Sequence, residues 1–554
     1  MNGADAIVRC LQEEGTEYVF GYPGVAICPF YNSILDSDIR TILVRQEQNA
    51  AHIASGWARI TGKTGVVAVT SGPGATNLIT GIATAYADSI PMICITGQVD
   101  SRLMGSDVFQ EADISGACES FVKYSYIVRD AKDIPQIFKE AFYIASTGRK
   151  GPVLIDVPID IQQSTVRSFS YPEEISIRSY KPTVKGHAVQ IRKVIGELEK
   201  AKKPIICVGG GVHLAGAAEE IRVFAEKNNI PVVSTMMGLS VMPTAHPNYF
   251  GMVGNNGQPF CNRAMNDADV ILMAGARVAD RSISQPDLIT SNKVLVHMDV
   301  DPAEIGKNAG PNIPIVGDLK AIFEELNKEE ITIEDDKWVE YLRNQKKQDA
   351  KISAVTRAVA GEKRSTDEAE GTAPVCVDPK EFIRRLSSAM EDTAIYVADV
   401  GQNQLWSCAN AVIRKGRFMT SGGMGTMGYA LPASMGAKIA GGKRQVVAVC
   451  GDGGFQMTMM ELATARQYGI QVKVVVLKNN VLGLVRQYQH FNYHDSFSVI
   501  DLSGSPELDK IAEAYGMDYM KLSDEPEMGR VIEAFLSDKH SVLLEVTVDP
   551  NEVA

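Results

Sequence analysis

The sequence has no cysteine pair in a C-x-x-C spacing, although nine cysteines are scattered from Cys10 to Cys450. An odd number at wide separation is neither a disulfide framework nor a zinc-ligand pattern, and buried free thiols in a reducing compartment are the expectation. Positive charge is not in excess: 55 Lys and Arg stand against 67 Asp and Glu, a formal net charge of −12. Nucleic acid and anionic membranes reward a basic surface, so neither is expected as the main partner. No apolar run approaches the roughly 18 residues of a membrane span. The start, Met1-Asn2-Gly3-Ala4-Asp5, lacks the basic residues and apolar core of a signal peptide. A cytoplasmic location is expected. No short-period repeat is present either.

What remains is ordinary globular composition, 45% hydrophobic and 22% charged. At about 150 residues per domain, 554 residues make three or four domains. Strand candidates are Val66–Val69, Met92–Thr96, Val153–Val157, Ile205–Val208, Val270–Met273, Val294–Met298, Ile395–Val397, Val446–Cys450 and Val472–Leu477. Most are apolar on both faces, as parallel strands covered by helices must be. Between them lie amphipathic stretches such as Ala50, Ile53, Ala54 and Trp57, which fall on one helical face. This alternation predicts an α/β protein. Residues 163–186 are polar with Pro172 and Pro182, and residues 327–374 are rich in charge and read as a partly helical surface linker. They divide the chain into blocks 1–162, 187–326 and 376–554, each expected to form a doubly wound parallel-sheet domain.

The strongest local signal is Gly451-Asp452-Gly453-Gly454, directly after the apolar strand Val446–Cys450. A strand ending in G-D-G exposes unhindered backbone N–H groups where the next helix begins, which suits an anion. A second strand, Val472–Leu477, ends in Lys478-Asn479-Asn480. An Asp and an Asn at neighbouring strand ends can hold a small hard cation such as Mg²⁺, which keeps phosphate oxygens as further ligands. Each half alone is as readily a simple turn; the two at this spacing point to a metal and a diphosphate held together.

This spacing is the thiamin diphosphate (ThDP) signature. The chain resembles the ThDP-dependent 2-oxo acid decarboxylase and carboligase superfamily, and within it the acetolactate synthase (acetohydroxyacid synthase) catalytic subunits. The resemblance runs through Phe20-Gly21-Tyr22-Pro23-Gly24, Thr70-Ser71-Gly72-Pro73-Gly74-Ala75-Thr76-Asn77, Ile95-Thr96-Gly97-Gln98-Val99 and Phe109-Gln110-Glu111. It continues in Gly151-Pro152-Val153-Leu154, Val400-Gly401-Gln402, Gly425-Thr426-Met427-Gly428 and Leu482-Gly483-Leu484-Val485. It implies an N-terminal domain for the cofactor's pyrimidine, a central domain, and a C-terminal domain for its diphosphate and Mg²⁺.

The resemblance also implies roles. Glu47, in Arg45-Gln46-Glu47-Gln48-Asn49, matches the activating glutamate; without the resemblance, an acid early in a helix is merely favourable with the helix dipole. Met427 matches the apolar wedge that folds the cofactor, though a Met filling a core gap is the plainer reading of that residue type. Phe109 and Gln110 would line the pocket around the reacting carbons. Pro23, Gly24, Val400, Gly401, Gln402, Asn403, Gly425, Gly451, Gly453, Gly454, Leu482 and Gly483 would surround the cofactor. Asp452, Asn479 and the carbonyl of Val481 would be the protein's metal ligands. Because Glu47 and Asp452 lie in different blocks yet serve one cofactor, the family pattern implies an obligate homodimer or tetramer with sites between subunits. A small regulatory subunit is a further possible partner.

In the middle block, Gly209-Gly210-Gly211 after Ile205–Val208 is by itself a weak signal that a tight turn would explain. With Arg149, Thr235, Met236, Met237, Arg277, Asp299 and Asp318 it resembles the FAD-binding domain of acetolactate synthases, so FAD is expected; some relatives keep the fold without flavin.

Several positions depart from the family pattern. The motif G-Y-P-G-G-A has Val25 at its fifth place, and V-P-K-D reads Val157-Pro158-Ile159-Asp160. A tryptophan is replaced by Tyr488, a Met-His pair by Asn255-Asn256, and a His near the diphosphate by Asn403. The sequence stops at Ala554, without the tail that helps to close the site in the family. A pocket methylene is worth only about 1–3 kcal/mol of discrimination, enough to change the preferred 2-oxo acid but not the reaction class. The expected reaction is decarboxylation of pyruvate and transfer of the hydroxyethyl unit to a second 2-oxo acid, giving 2-acetolactate or 2-aceto-2-hydroxybutyrate. Alternatives are a ThDP-dependent decarboxylase or a carboligase with another acceptor. A catalytically silent ThDP-fold protein would require loss of Glu47 or the metal pair, and both are present.

Overall fold

The computed structural model describes residues 1–331, 333, 337–352 and 376–554. Three six-stranded sheets follow one another along the chain, and every strand pairing in them is parallel. The first contains β1 (Tyr18–Tyr22), β2 (Arg40–Leu43), β3 (Gly65–Val69), β4 (Met92–Gln98), β5 (Tyr124–Ile127) and β6 (Pro152–Pro158), in the order β2-β1-β3-β4-β6-β5. The second contains β7 (Pro204–Val208), β8 (Val232–Ser234), β9 (Tyr249–Met252), β10 (Val270–Ala274), β11 (Val294–Asp299) and β12 (Ile313–Val316), in the order β12-β11-β10-β7-β8-β9. The third contains β13 (Ile395–Ala398), β14 (Arg417–Met419), β15 (Val446–Gly451), β16 (Lys473–Lys478), β17 (Asp518–Leu522) and β18 (Val542–Thr547), in the order β14-β13-β15-β16-β18-β17. The first and third sheets thus share one topology, and the middle one differs.

The nine predicted strands are all present, extended by a residue or so in most cases. β3, β4, β6, β7, β10 and β13 are buried throughout because helices cover both faces of each sheet. Eight of the nine cysteines are buried; Cys28 is exposed.

Two expectations need correction. The Glu47–Thr61 helix buries every residue from Asn49 to Ala58, not one face alone. Its second side is covered by the helix Ala430–Gly441 of the third domain, and the two backbones nearly touch. The charged 327–374 segment is not merely a surface linker: its helical part at 337–352 buries Trp338, Val339 and Leu342 against the central sheet. Trp338 Nε1 donates to the Pro204 carbonyl at 3.0 Å. Residues 353–375 lie outside the described residues.

The helix–helix contact makes a prediction. A Cβ on Gly436 would stand 1.9 Å from the Ile53 carbonyl oxygen, and one on Gly56 2.0 Å from that of Ala433. Neither carbonyl can swing aside, so Gly436→Ala is expected to cost about 1–3 kcal/mol, as core overpacking does. Thermal denaturation should show this as a fall of several degrees. Gly529→Ala, a helical position with open space around it, should leave the melting temperature unchanged or raise it.

Candidate functional site

In an open parallel sheet, ligands bind where neighbouring strands send their chains in opposite directions. In the third sheet that point lies between β13 and β15. β13 ends in Asp399-Val400-Gly401, where Gly401 takes a φ of 125° and opens the helix Gln402–Asn410. β15 ends in the G-D-G run and opens the helix Asp452–Thr458. Both helices start at glycine N-caps, which carry no side chain to occupy the first amides, as anion-binding helix starts do. The Gln402 side-chain oxygen is buried beside them without a hydrogen-bond partner among the described residues.

Asp452 is only 4% exposed, and no cation pairs with it among the described residues. Burial pushes its carboxyl up to about 6 against the backbone N–H bonds that favour its charge. Its oxygens accept from Gly453 N at 3.0 Å and Asn480 N at 2.7 Å. Asn479 follows β16 directly, with its Oδ1 3.1 Å from Val481 N. A carboxylate, an amide oxygen and the nearby Val481 carbonyl form an all-oxygen set that fits Mg²⁺. Leu482 and Gly483 close this side: a Cβ on Gly453 would meet Leu482 Cδ2 at 2.9 Å, and one on Gly483 would meet Gln402 Oε1 at 2.0 Å.

Met427 reaches the same place. Its Cε lies 3.5 Å from where Gly453 would carry a Cβ. The loop around it turns on Gly425 (φ 68°) and Gly428 (φ 84°). It is fastened by Asp399, a residue sequence reasoning passed over, which accepts from Val400 N (2.7 Å), Gly428 N (2.9 Å) and Ala430 N (3.0 Å). The only sequence signal was an acid at the end of an apolar strand. Asn403 Nδ2 donates to the carbonyls of Asp399 and Val449 at 3.1 and 2.9 Å, bracing β13 against β15, and its Oδ1 faces the N-cap glycines Gly401 and Gly451.

The first sheet repeats the design. Pro23-Gly24 leaves β1 and Thr70-Ser71-Gly72 leaves the adjacent β3. A Cβ on Gly24 would fall 2.6 Å from the Thr70 side chain. Glu47 opens the helix that follows β2 and is 9% exposed. Its Oε2 accepts from Asn77 Nδ2 at 3.0 Å, a second partner that sequence reasoning missed, and its Oε1 faces Gly74. Gln110 sits over Gly72 in the left-handed region, with φ 61°, and Phe109 beside it is 87% exposed.

The loop carrying these two residues is strapped to β4 and β6. Gln98 Nε2 bridges the Ala112 carbonyl (2.8 Å) and Asp156 Oδ2 (3.0 Å), Thr96 donates to Asp156 Oδ1 (2.7 Å), and Ser101 binds Asp160 through N and Oγ. Burial pushes the Asp156 carboxyl from its ordinary value up to about 7. An acid whose folded value is raised gives stability that is full below its unfolded value near 4 and is lost as pH rises through 7. The wild-type melting temperature is therefore expected to drop more between pH 4.5 and 7.5 than that of Asp156→Asn. Parallel pH profiles would contradict this.

Within one chain the two halves of the site stay apart. Glu47 packs at the Gly74–Asn77 start of the helix Pro73–Ala87, whereas Thr426, next to Met427, is hydrogen-bonded to Thr84 near its other end. Gly74 and Thr84 are about 15 Å apart at ~1.5 Å per helical residue.

In the middle sheet the reversal lies between β7 and β10. Gly209–Gly211 leaves β7 and packs on the loop after β10; a Cβ on Gly209 would come 2.3 Å from the Gly275 oxygen. Thr235, Met236 and Met237 follow β8, Asp299 ends β11, and Arg277 is exposed. Two of the expected flavin residues are engaged within the protein. Arg149 binds Glu304 (3.0 Å), Asp301 (3.3 Å) and Ser89 (3.0 Å), and Asp318 caps the helix Leu319–Leu326. Beside Gly210 and Met237, however, a cavity of about 40 Å³ is lined by Arg59, Lys150 and Arg417 with Asp88. Arg417 Nε is buried there without an acceptor among the described residues. A half-buried guanidinium with an unmet Nε–H, beside a glycine loop, suits a phosphate group.

Comparison with known proteins agrees in order and extent. Residues 1–117, 191–326 and 399–546 match the N-terminal TPP binding, central, and C-terminal TPP binding domains of thiamine pyrophosphate enzymes. The acetolactate synthase large subunit of Haemophilus influenzae is 41% identical over 562 residues, covering 100% of this chain and 95% of that protein. That of Lactococcus lactis is 40% identical over 558 residues, covering 100% and 93%. A probable acetolactate synthase large subunit of Methanocaldococcus jannaschii is 39% identical over 558 residues, with the same coverage, 100% and 93%.

Proposed function

The chain belongs to the acetolactate synthase large-subunit family of thiamine pyrophosphate enzymes, and we propose that it decarboxylates pyruvate and joins the two-carbon unit to a second 2-oxo acid. The products would be 2-acetolactate or 2-aceto-2-hydroxybutyrate, precursors of branched-chain amino acids made in the cytoplasm. The observation that carries this reading is the pairing of two half-sites, one ending in Glu47 and the other in Met427, Asp452 and Asn479. ThDP, when bound, supplies a nucleophilic carbon and a sink for the electrons left as CO₂ departs. Asp452, Asn479 and the Val481 carbonyl would hold Mg²⁺, and the first amides of the helices at Gln402 and Asp452 would hold the diphosphate. Met427 would stand against the rings, and Glu47, oriented by Asn77, would exchange a proton with the pyrimidine. Phe109 and Gln110 would cover the reacting carbons and exclude water.

The separation of Glu47 from Met427 along the helix Pro73–Ala87 supports a site completed by a second copy of the chain, and hence an obligate homodimer or a tetramer built from dimers. The exposed apolar side chains beside both half-sites, Tyr22, Val25 and Phe109 on one and Leu484, Val485 and Tyr488 on the other, support the same assembly. The relatives' name, large subunit, supports a small regulatory partner. FAD would lie across the ends of β7 and β10, with its diphosphate near Gly210 and Arg417.

A carboligase with another acceptor is the second reading. Val25, 75% exposed beside Gly24, favours it, because it narrows the space in which a second 2-oxo acid must fit. Proton NMR of products from pyruvate with ThDP and Mg²⁺, with and without FAD, tests both. Acetolactate supports the first reading and acetaldehyde alone overturns it; a flavin requirement supports the assignment of the central domain.

A further inference from the structure

The helix that presents Glu47 begins without a cap of its own. Its N-cap residue is Gln46, whose side chain makes no capping bond. The deficit is met from the third domain. Glu461 Oε1 accepts from Arg45 N (2.8 Å), Gln46 N (3.2 Å) and Asn49 Nδ2 (2.9 Å), and its Oε2 accepts from the Thr464 hydroxyl (2.7 Å). The clamp continues beside it: Leu43 N donates to the Tyr468 hydroxyl (2.9 Å), and Arg45 Nη2 donates to Gln467 Oε1 (2.7 Å).

Glu461 is fully buried and forms no ion pair among the described residues. A buried carboxylate held only by dipoles is costly, and it lasts where those dipoles need an acceptor. Here they are the amides that lead into the Glu47 helix. The helix Asp452–Thr458 breaks at Thr458 (φ −135°) and leads into the turn Met459–Glu461, from which the helix Leu462–Gln467 continues. One short helical segment of chain, ten residues from Asp452 to Glu461, therefore joins the proposed metal end of the third domain to the start of the acid-bearing helix.

We infer that Glu461 is a positioning residue: it fixes where the Glu47 helix begins, and thereby sets the reach of the Glu47 carboxyl. It couples the Asp452 end of one site to the Glu47 end of the other site in the dimer. This rests on the proposed roles of Glu47 and Asp452.

The test uses the full-length protein as Glu461→Ala, Glu461→Asp and Glu461→Gln, with Glu47→Gln alongside. The first measurement needs no cofactor: amide hydrogen exchange of the 43–49 segment, expected to be faster in Glu461→Ala and Glu461→Asp than in wild type. The second is the exchange of the C2 proton of bound ThDP for deuterium, with ThDP affinity measured in parallel. Displacement of a reacting group by about an ångström is expected to slow that exchange roughly 10- to 100-fold. ThDP affinity should stay within about threefold, because the groups proposed to hold the diphosphate are untouched, and Glu461→Gln, which keeps the acceptor, should restore most of the rate. A role confined to stability would lower the melting temperature without changing the proton exchange rate of the folded protein. If Glu461→Ala does not fold, Glu461→Asp, which withdraws the carboxylate by one methylene, decides the matter. Wild-type exchange in both measurements overturns the inference. If Glu47→Gln exchanges the C2 proton at the wild-type rate, the role of Glu47 fails instead.

Discussion

Glu47→Gln is expected to lower pyruvate turnover at least about 100-fold, the usual scale for losing a group that moves a proton in the rate-determining chemistry. The amide fills the same space, and its oxygen can still accept from Asn77 Nδ2, now 3.0 Å from the carboxylate. The fold and the helix start should therefore survive, and the loss should appear in kcat with little change in ThDP affinity. Circular dichroism and calorimetric titration with ThDP serve as controls. A variant that turns over pyruvate near the wild-type rate would remove Glu47 from the chemistry.

Asp452→Asn is expected to act on the opposite quantity. Asp452 is the only carboxylate in the proposed metal set, and Asn479 and the Val481 carbonyl are neutral. Losing an outer-shell partner of a metal ligand typically costs about 10–100-fold in affinity, so losing the charged ligand itself should cost at least about 100-fold. Titration of ThDP at fixed Mg²⁺ should show the loss, and excess Mg²⁺ should recover part of it. The fold should tolerate the change at a modest cost: a buried charge without a counter-ion is removed, and the single amide oxygen of Asn keeps one of the two bonds that Gly453 N and Asn480 N now make to separate carboxylate oxygens. Unchanged ThDP affinity in Asp452→Asn would exclude the metal site proposed at the ends of β15 and β16.

The third-domain half of the site was legible because its chemistry is local. G-D-G follows an apolar strand, and the Asn that joins it ends the next strand of the same sheet. The fold was legible where strands are buried on both faces. It was not where strands lie at or near an edge or carry polar residues: β2 buries only Ile42, β5 and β17 are mostly half-exposed, and β18 is broken in sequence by Glu545. Glu545 is nonetheless buried, with its charge met by Lys521 at 3.1 Å and Tyr519 at 3.0 Å. No periodicity forecasts such partners from neighbouring strands. Asp399, Asn77 and Glu461 were missed for a related reason, since each acts on backbone or on a side chain supplied by packing. Trp338 was hidden by the charge around it, which marks the solvent face of its helix and says nothing of the face that binds the central sheet.

In the proposed dimer, one site takes Glu47 from one chain and Asp452 from another. Glu47→Gln and Asp452→Asn are each expected to be nearly inactive alone. After mixing, unfolding and refolding together, half of the dimers should be mixed, and each mixed dimer should carry one site with both native residues, so about one quarter of wild-type pyruvate turnover should return. Recovery near that level is the predicted result. No recovery, with mixed dimers shown to form, would contradict the shared site.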